Sequence, residues 1–247
     1  MSIELLWIAV ALSAGSIVKG ATGMGLPMVA LPILASFLGV PHAIAVMSLP
    51  ILLSNAWQVW QHRHGIRGLG FLPWLLAMSV VGIAVGTYLL TALPAKTLSL
   101  VLAVMVLSYI GLRLARPDFA LPLAVARAMA PAVGFGAGTL QGATGVSAPI
   151  TITFVNALRM PRAEQVAALS CIFLLPTLFQ FPALWFAGVL TPGRLVESAL
   201  SLIPVVVLMP VGARLGRRLS REWFDRIILG ILGFIACELL VRGLGRW

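Results

Sequence analysis

Two copies of one nine-residue pattern lie at matched places in the two halves of this chain. Residues 19–27 read KGATGMGLP and residues 141–149 read QGATGVSAP. Each copy places helix-breaking glycines and a helix-starting proline between two apolar stretches. Paired interruptions of this kind in a repeated hydrophobic chain are typical of the binding sites of transporters.

The composition restricts the chain to one class of protein. Its mean hydropathy is +1.06, and hydrophobic residues make up 60% and charged residues 10% of the 247 residues, whereas soluble domains are roughly 25% charged. The charges cluster between long apolar runs, as in an all-α polytopic protein that has the lipid bilayer as its partner. We therefore assign the net charge of +10 to loops that orient the chain in the membrane, and no nucleic-acid binding is expected.

Five apolar segments are predicted in each half. They lie at 3–18, 25–38, 42–60, 69–90 and 95–113, and at 127–140, 147–158, 163–187, 195–213 and 224–241. The last three of each set are long enough to span a bilayer, which takes about 20 residues, whereas the first two are short. The predicted fold is therefore two inverted repeats, residues 1–116 and 117–247. Each repeat has three full transmembrane helices and a pair of short or broken helices, for roughly 8–10 membrane segments in the whole chain.

The basic residues predict the orientation. Twelve lie in four loops, four lie on the other face, and Lys19 lies in the first motif. The twelve are Arg63, Arg67, Arg113, Arg116, Arg127, Arg159, Arg162, Arg214, Arg217, Arg218, Arg221 and Arg226. The basic residues divide in this way only if the two short segments of each half together cross the membrane an even number of times. Each half then crosses the membrane an odd number of times, so the two halves have opposite orientations. The twelve-charge face is then cytoplasmic and both termini lie outside.

Glycines have two predicted roles. Gly20, Gly23, Gly25, Gly142 and Gly145 are predicted to unwind the backbone at membrane depth, because glycine adopts left-handed and tight-turn conformations. Glycine pairs spaced by four residues are predicted instead to let helices approach closely. These pairs are Gly82 and Gly86, Gly134 and Gly138, and Gly212 and Gly216.

The two motifs are predicted to hold an anion. Pro27 and Pro149 suit the first turn of the helix that follows each motif, where unpaired N–H groups carry the positive end of the helix dipole. Two such ends from inverted motifs would face one site at the midplane. No Asp or Glu lies in or beside either motif, so neither a carboxylate site for cations nor a carboxylate proton relay is expected.

Side chains of the motifs add donors and one charge. The threonines and the serine supply hydroxyl groups, and Gln141 supplies an amide. Lys19 is the one basic residue inside an apolar segment, where it either serves the site or reaches to the membrane interface. Asn55 either lines the pathway or bonds a neighbouring helix. The predicted substrate site comprises Lys19, Gly20, Thr22, Gly23, Met24, Gly25, Asn55, Gln141, Gly142, Thr144, Gly145, Val146 and Ser147.

No enzymatic chemistry is predicted. Cys171 and Cys237 lie in apolar segments without the spacing of metal ligands. No nucleophile, acid–base pair or metal cluster is found at depth, so no catalytic residue, metal or cofactor is expected.

Residues 19–27 and residues 138–149, which read GTLQGATGVSAP, resemble the TauE/SafE sulfite exporter family, also called TSUP. The resemblance extends over essentially the whole chain. It implies an integral transporter of the bacterial inner membrane for a small anion, namely sulfite, a sulfonate or another organosulfur acid. With the repeats, it predicts alternating access around the two GATG motifs. A passive anion channel and a transporter of a small carboxylate are the alternatives, and a homo-oligomer stays open.

Overall fold

The computed structural model describes residues 3–23, 25–66, 68–115, 120–216 and 221–244, and every regular element within these ranges is helical. The first half contains α1 (Ile3–Thr22), α2 (Leu26–Leu38), α3 (Val40–Gln61), a short 3-10 turn (Arg63–Ile66), α4 (Leu72–Ala92) and α5 (Ala95–Ala115). The second half contains α6 (Leu123–Thr144), α7 (Ala148–Ala157), α8 (Arg162–Phe186), α9 (Pro192–Leu200), α10 (Leu202–Leu215) and α11 (Arg221–Gly243).

The described helices have the lengths and hydropathy of a multi-pass membrane protein. Seven segments in this part of the chain are long and apolar enough to cross a bilayer. They are Glu4–Thr22, Val40–Gln61, Leu72–Ala92, Ala95–Leu112, Leu123–Thr144, Arg162–Phe186 and Pro192–Leu215. Shorter apolar helical segments are Leu26–Leu38, Ala148–Ala157 and Leu229–Val241. The all-α polytopic class predicted from the sequence is confirmed.

The first helix of each half is longer than predicted. Segments 3–18 and 127–140 were expected to be short, but α1 has 20 residues and α6 has 22. Both helices continue through the polar residue that opens the motif, because Lys19 and Gln141 find hydrogen-bond partners on neighbouring helices. Of the first two helices in each half, only the second is short, α2 with 13 residues and α7 with 10. This corrects the expected pair of short helices at the start of each half.

Helices of one half pack against helices of the other. α1 packs on α10 and α4 packs on α6, while α3 lies against α8 and α5 against α11. When the first half is shifted along the sequence by the spacing between the two motifs, α1 coincides with α6 and α4 coincides with the α9–α10 segment. The α1–α10 contact therefore corresponds to the α4–α6 contact under the repeat. In both contacts a helix of one repeat packs against a helix of the other repeat.

Glycines bring these two helix pairs into backbone contact. A Cβ atom on Gly82 would lie 2.8 Å from the Thr139 nitrogen of α6, and a Cβ on Gly138 would collide with the Ser79 carbonyl of α4. A Cβ on Gly212 would likewise collide with the Ile17 carbonyl of α1. Packing between helices, the role predicted for the glycine pairs, is confirmed, because no larger residue fits at these distances.

A contact between His42 and Glu197 joins the two halves at the start of α3. His42 Nε2 is 2.5 Å from Glu197 Oε2 on α9, and both side chains are partly exposed. Ser201 adds a hydrogen bond to the Val46 carbonyl nearby. These contacts hold α3 to α9 at the end of α3 opposite the Arg63 turn.

Candidate functional site

A cavity of about 1050 Å³ lies between α1, α3, α8 and α10. The first half contributes Lys19, Gly20, Ala21, Gly23, Leu53, Ser54, Trp57, Gln58, Gln61 and His62 to its lining. The second half contributes Arg162, Ala163, Val166, Leu202, Val205, Val206, Met209, Pro210, Ala213 and Gly216. Because both halves form its walls, the shape of the cavity depends on how the halves are arranged.

Lys19 is the one fully buried charged side chain among the described residues, with 2% of its surface exposed. Its Nζ donates a hydrogen bond to Asn55 Oδ1 on α3 over 2.6 Å. Asn55 is held in turn by a 2.8 Å bond from its Nδ2 to the Ile51 carbonyl. An ammonium group has three N–H donors, and this bond to Asn55 uses one of them. Lys19 is therefore directed into the bundle and not toward a membrane interface.

Asn55 bonds a neighbouring helix and is not part of the cavity lining. Of the two roles considered for it, the hydrogen bond between helices is the one observed. It fixes the position of the Lys19 ammonium, which does line the cavity.

The second half repeats this arrangement without the charge. Gln141 Nε2 donates to Thr177 Oγ1 over 2.8 Å, and Ser147 Oγ donates to Gln141 Oε1 over 2.9 Å. Thr177 follows Asn55 in the sequence by the same number of residues as Gln141 follows Lys19. Thr177 was not among the predicted site residues, although it is the residue that the repeat relates to Asn55.

Two glutamines bind the backbone of the motifs. Gln58 Nε2 donates to the Gly23 carbonyl over 3.0 Å, and Gln180 Nε2 donates to the Gly142 carbonyl over 3.1 Å. Ser170 on α8 donates to Gln58 Oε1 over 3.2 Å. Gln58 also lines the cavity, so it belongs with the candidate site even though it was not among the predicted residues.

The motif backbone turns at glycines in the left-handed region. Gly23 has φ +82° and donates its N–H to the Lys19 carbonyl, and Gly145 has φ +74° and donates to the Gln141 carbonyl, both over 2.7 Å. Gly25, with φ +96°, precedes α2. This conformation ends a helix and favours glycine, so the predicted unwinding is confirmed at these three positions.

Gly20 and Gly142 do not unwind. Both lie inside helices, and a Cβ on Gly20 would collide with the Met209 carbonyl of α10. A Cβ on Gly142 would lie 2.7 Å from the Gly86 Cα of α4. The prediction that these two glycines unwind was wrong, because close helix contact and not backbone turning requires glycine there.

The hydroxyl groups of the motifs donate to protein acceptors. Thr22 Oγ1 and Thr144 Oγ1 each donate over 2.8 Å to the carbonyl four residues earlier in their own helix. The Val146 N–H lies 3.4 Å from Thr144 Oγ1. Ser147 bonds Gln141 and does not cap α7. Met24, also predicted for the site, lies outside the described residues.

The two motifs do not share one cavity. Lys19, Gly20 and Gly23 line it, whereas Gln141–Ser147 and the first turn of α2 do not. Residues 141–148 are all buried in the packed bundle. The structure therefore brings the first motif, and not the second, to the cavity surface.

The cavity is positive at the end formed by the motif and the loops. His62 and Arg162 line this end, and Arg162 Nη2 donates to the Ala21 carbonyl over 3.2 Å. No Asp or Glu is found among the described residues that line the cavity. One arginine at the mouth and a buried lysine inside make a site suited to an anion.

The chain matches the family described as Sulfite exporter TauE/SafE over residues 7–239. No match was found among curated proteins. No solved structure matched either.

Proposed function

Because the chain belongs to the sulfite exporter TauE/SafE family, we propose that it carries a small anion across the bacterial inner membrane. Sulfite, a sulfonate or another organosulfur acid is the substrate. The buried ammonium of Lys19 at the wall of a cavity without acidic residues is the observation that supports this most directly. A buried ionisable group in a membrane protein is by default functional, because placing it there is costly.

The substrate is held by the first motif. Lys19 lines the cavity together with Gly20 and Gly23. Asn55 holds the Lys19 ammonium in position, and Gln58 holds the motif backbone. Hydrogen bonds from a cation to an anionic oxygen are shorter and stronger than those between neutral groups. Arg162 attracts the anion to the mouth of the cavity.

The chain comprises two inverted repeats, residues 1–116 and 117–247, that work by alternating access. The α1–α10 and α4–α6 pairs support two repeats. The first motif lines a cavity while the second is sealed in close glycine contacts, as expected when one side of the protein is open and the other is closed. The mouth beside Arg162 is cytoplasmic by the excess of basic residues on that face, and both termini lie outside.

The sealed second motif favours a carrier over a channel, because a channel needs a path that is open on both sides. Counterflow in proteoliposomes tests this. Vesicles preloaded with unlabelled sulfite are expected to accumulate radiolabelled sulfite transiently and to saturate. A flux that does not saturate and shows no counterflow would identify a channel. A site that accepts small carboxylates and not sulfite or sulfonates would contradict the substrate class.

A further inference from the structure

The cavity extends well beyond Lys19. Gly212 lies against Ile17 and Gly216 lies against Ala21, so α10 runs parallel to α1 and Lys19 is level with the last turn of α10. The cavity-lining residues at the start of α10 therefore lie on the side of Lys19 away from the charged mouth. These residues are Leu202, Val205, Val206 and Met209, and Leu53 of α3 lines the same cavity.

This second part of the cavity is apolar. Its α10 wall consists of aliphatic side chains and a methionine. The hydroxyl of Ser54, beside Leu53, donates to the Pro50 carbonyl of its own helix. The other polar side chains of the lining lie at the end of α3, just after it and at the start of α8; they are Gln58, Gln61, His62 and Arg162. From Leu202 to Met209 the helix rises about 10 Å at 1.5 Å per residue. The apolar wall is thus long enough for an extended group of several carbon atoms.

The size of the cavity exceeds the needs of an inorganic oxyanion. Its volume of about 1050 Å³ slightly exceeds roughly 300–1,000 Å³, the range of pockets that bind drug-sized ligands. An anion such as sulfite occupies the volume of a few water molecules, each about 30 Å³ in the liquid. Sulfite would fill only the part of the cavity next to Lys19.

We infer that the cavity binds an organic anion with an apolar body, whose acidic group contacts Lys19 and whose body packs along Leu202–Met209 of α10. This inference rests on the proposed transport of anions and specifies the substrate class of that site. The single buried charge and the adjoining apolar wall match the two parts of such a molecule. Alkanesulfonates are the simplest probes of this class, since their acidic group is constant while the chain length varies.

Chain length should therefore control affinity. Burying one methylene contributes about 0.8 kcal/mol, or roughly fourfold in affinity. Butanesulfonate has three methylenes more than methanesulfonate, so it should inhibit sulfite counterflow with a constant about 60-fold lower. Both compounds are measured with the full-length protein in proteoliposomes.

Val206 and Val207 provide matched variants. They are neighbours on α10 and similarly exposed, at 69% and 58%, but only Val206 lines the cavity. Val206→Trp should place an indole against the apolar wall and reduce the ratio between the two inhibition constants to below about tenfold. Val207→Trp should leave that ratio at its wild-type value. The ratio is internal to each variant, so it does not depend on how much protein is active.

The inference is overturned if butanesulfonate inhibits less than about fourfold better than methanesulfonate, the gain of a single methylene. The same holds if the two tryptophan variants change the ratio equally, because the gain would then come from partitioning into the lipid. In both cases saturable counterflow of sulfite would persist and the proposed function would stand. Failure of the proposed function itself is distinct, since no saturable sulfite counterflow would then be seen at all.

Discussion

Replacing Lys19 with glutamine separates the charge of the site from its hydrogen bonds. Glutamine keeps an N–H donor for Asn55 and converts the first motif to the QGAT of the second, where Gln141 makes the equivalent bond to Thr177 over 2.8 Å. The packing partners of α1 do not change. What is lost is the charge at a position that is 2% exposed.

The size of the effect follows from the bonds that a charged donor makes. A hydrogen bond to a charged group contributes about 1.5–3 kcal/mol. Since 1.4 kcal/mol corresponds to a factor of ten, K19Q should weaken binding of the anion roughly tenfold to a hundredfold. Equilibrium binding of radiolabelled sulfite to the purified protein in detergent measures this directly.

Lys96→Gln is the matched control for this experiment. Lys96 is exposed at the start of α5 and does not line the cavity, so the same loss of charge there should leave the dissociation constant unchanged. Equal binding by K19Q and the wild type would refute the reasoning, because the charge of Lys19 would then contribute nothing to the affinity for the anion. An equal loss in both variants would mean that overall charge, and not the site, determines the affinity.

Two further predictions concern the fold. Gly138→Leu should strongly lower the melting temperature in detergent, because its side chain would meet the α4 backbone. Gly136→Leu should have little effect, because the nearest neighbouring atom lies 3.9 Å from the added Cβ. Equal losses of melting temperature in the two variants would contradict the packing argument. In a background without the native cysteines, Arg63→Cys should react with an impermeant maleimide only from the cytoplasmic side and Lys96→Cys only from the outside, and labelling of both from one side would contradict the inverted topology.

The sequence was most informative where one residue type alone satisfies the backbone. Gly23 and Gly145 adopt left-handed conformations, which side chains with a Cβ rarely adopt, so their recurrence identified the two turns. Glycines spaced by four residues, such as Gly134 and Gly138, identified helix surfaces in backbone contact for a similar reason. Both inferences depend on local sterics, which a sequence pattern records directly.

Other features depend on contacts between distant helices. Hydropathy placed the ends of the first helix of each half before Lys19 and Gln141, because both are polar. Asn55 and Thr177 satisfy these side chains from other helices, so α1 and α6 continue for another turn. The cavity lies at the first motif for a similar reason. Its position depends on how α10 packs against α1 and how α4 packs against α6, and neither motif determines this packing by itself.

During synthesis, α1 enters the bilayer long before α10 exists to pack against it. α10 follows α1 by about 180 residues, or roughly 10–40 s at 5–20 residues per second. Through this interval the Lys19 ammonium lies in the last turn of a helix surrounded by lipid, where a charge costs less than the roughly 2.5–3.5 kcal/mol of the helix centre. Asn55 emerges only 36 positions after Lys19, so its hydrogen bond can form while the second half is still being translated. The residue that positions the ammonium in the finished protein is thus also a partner that the growing chain supplies early.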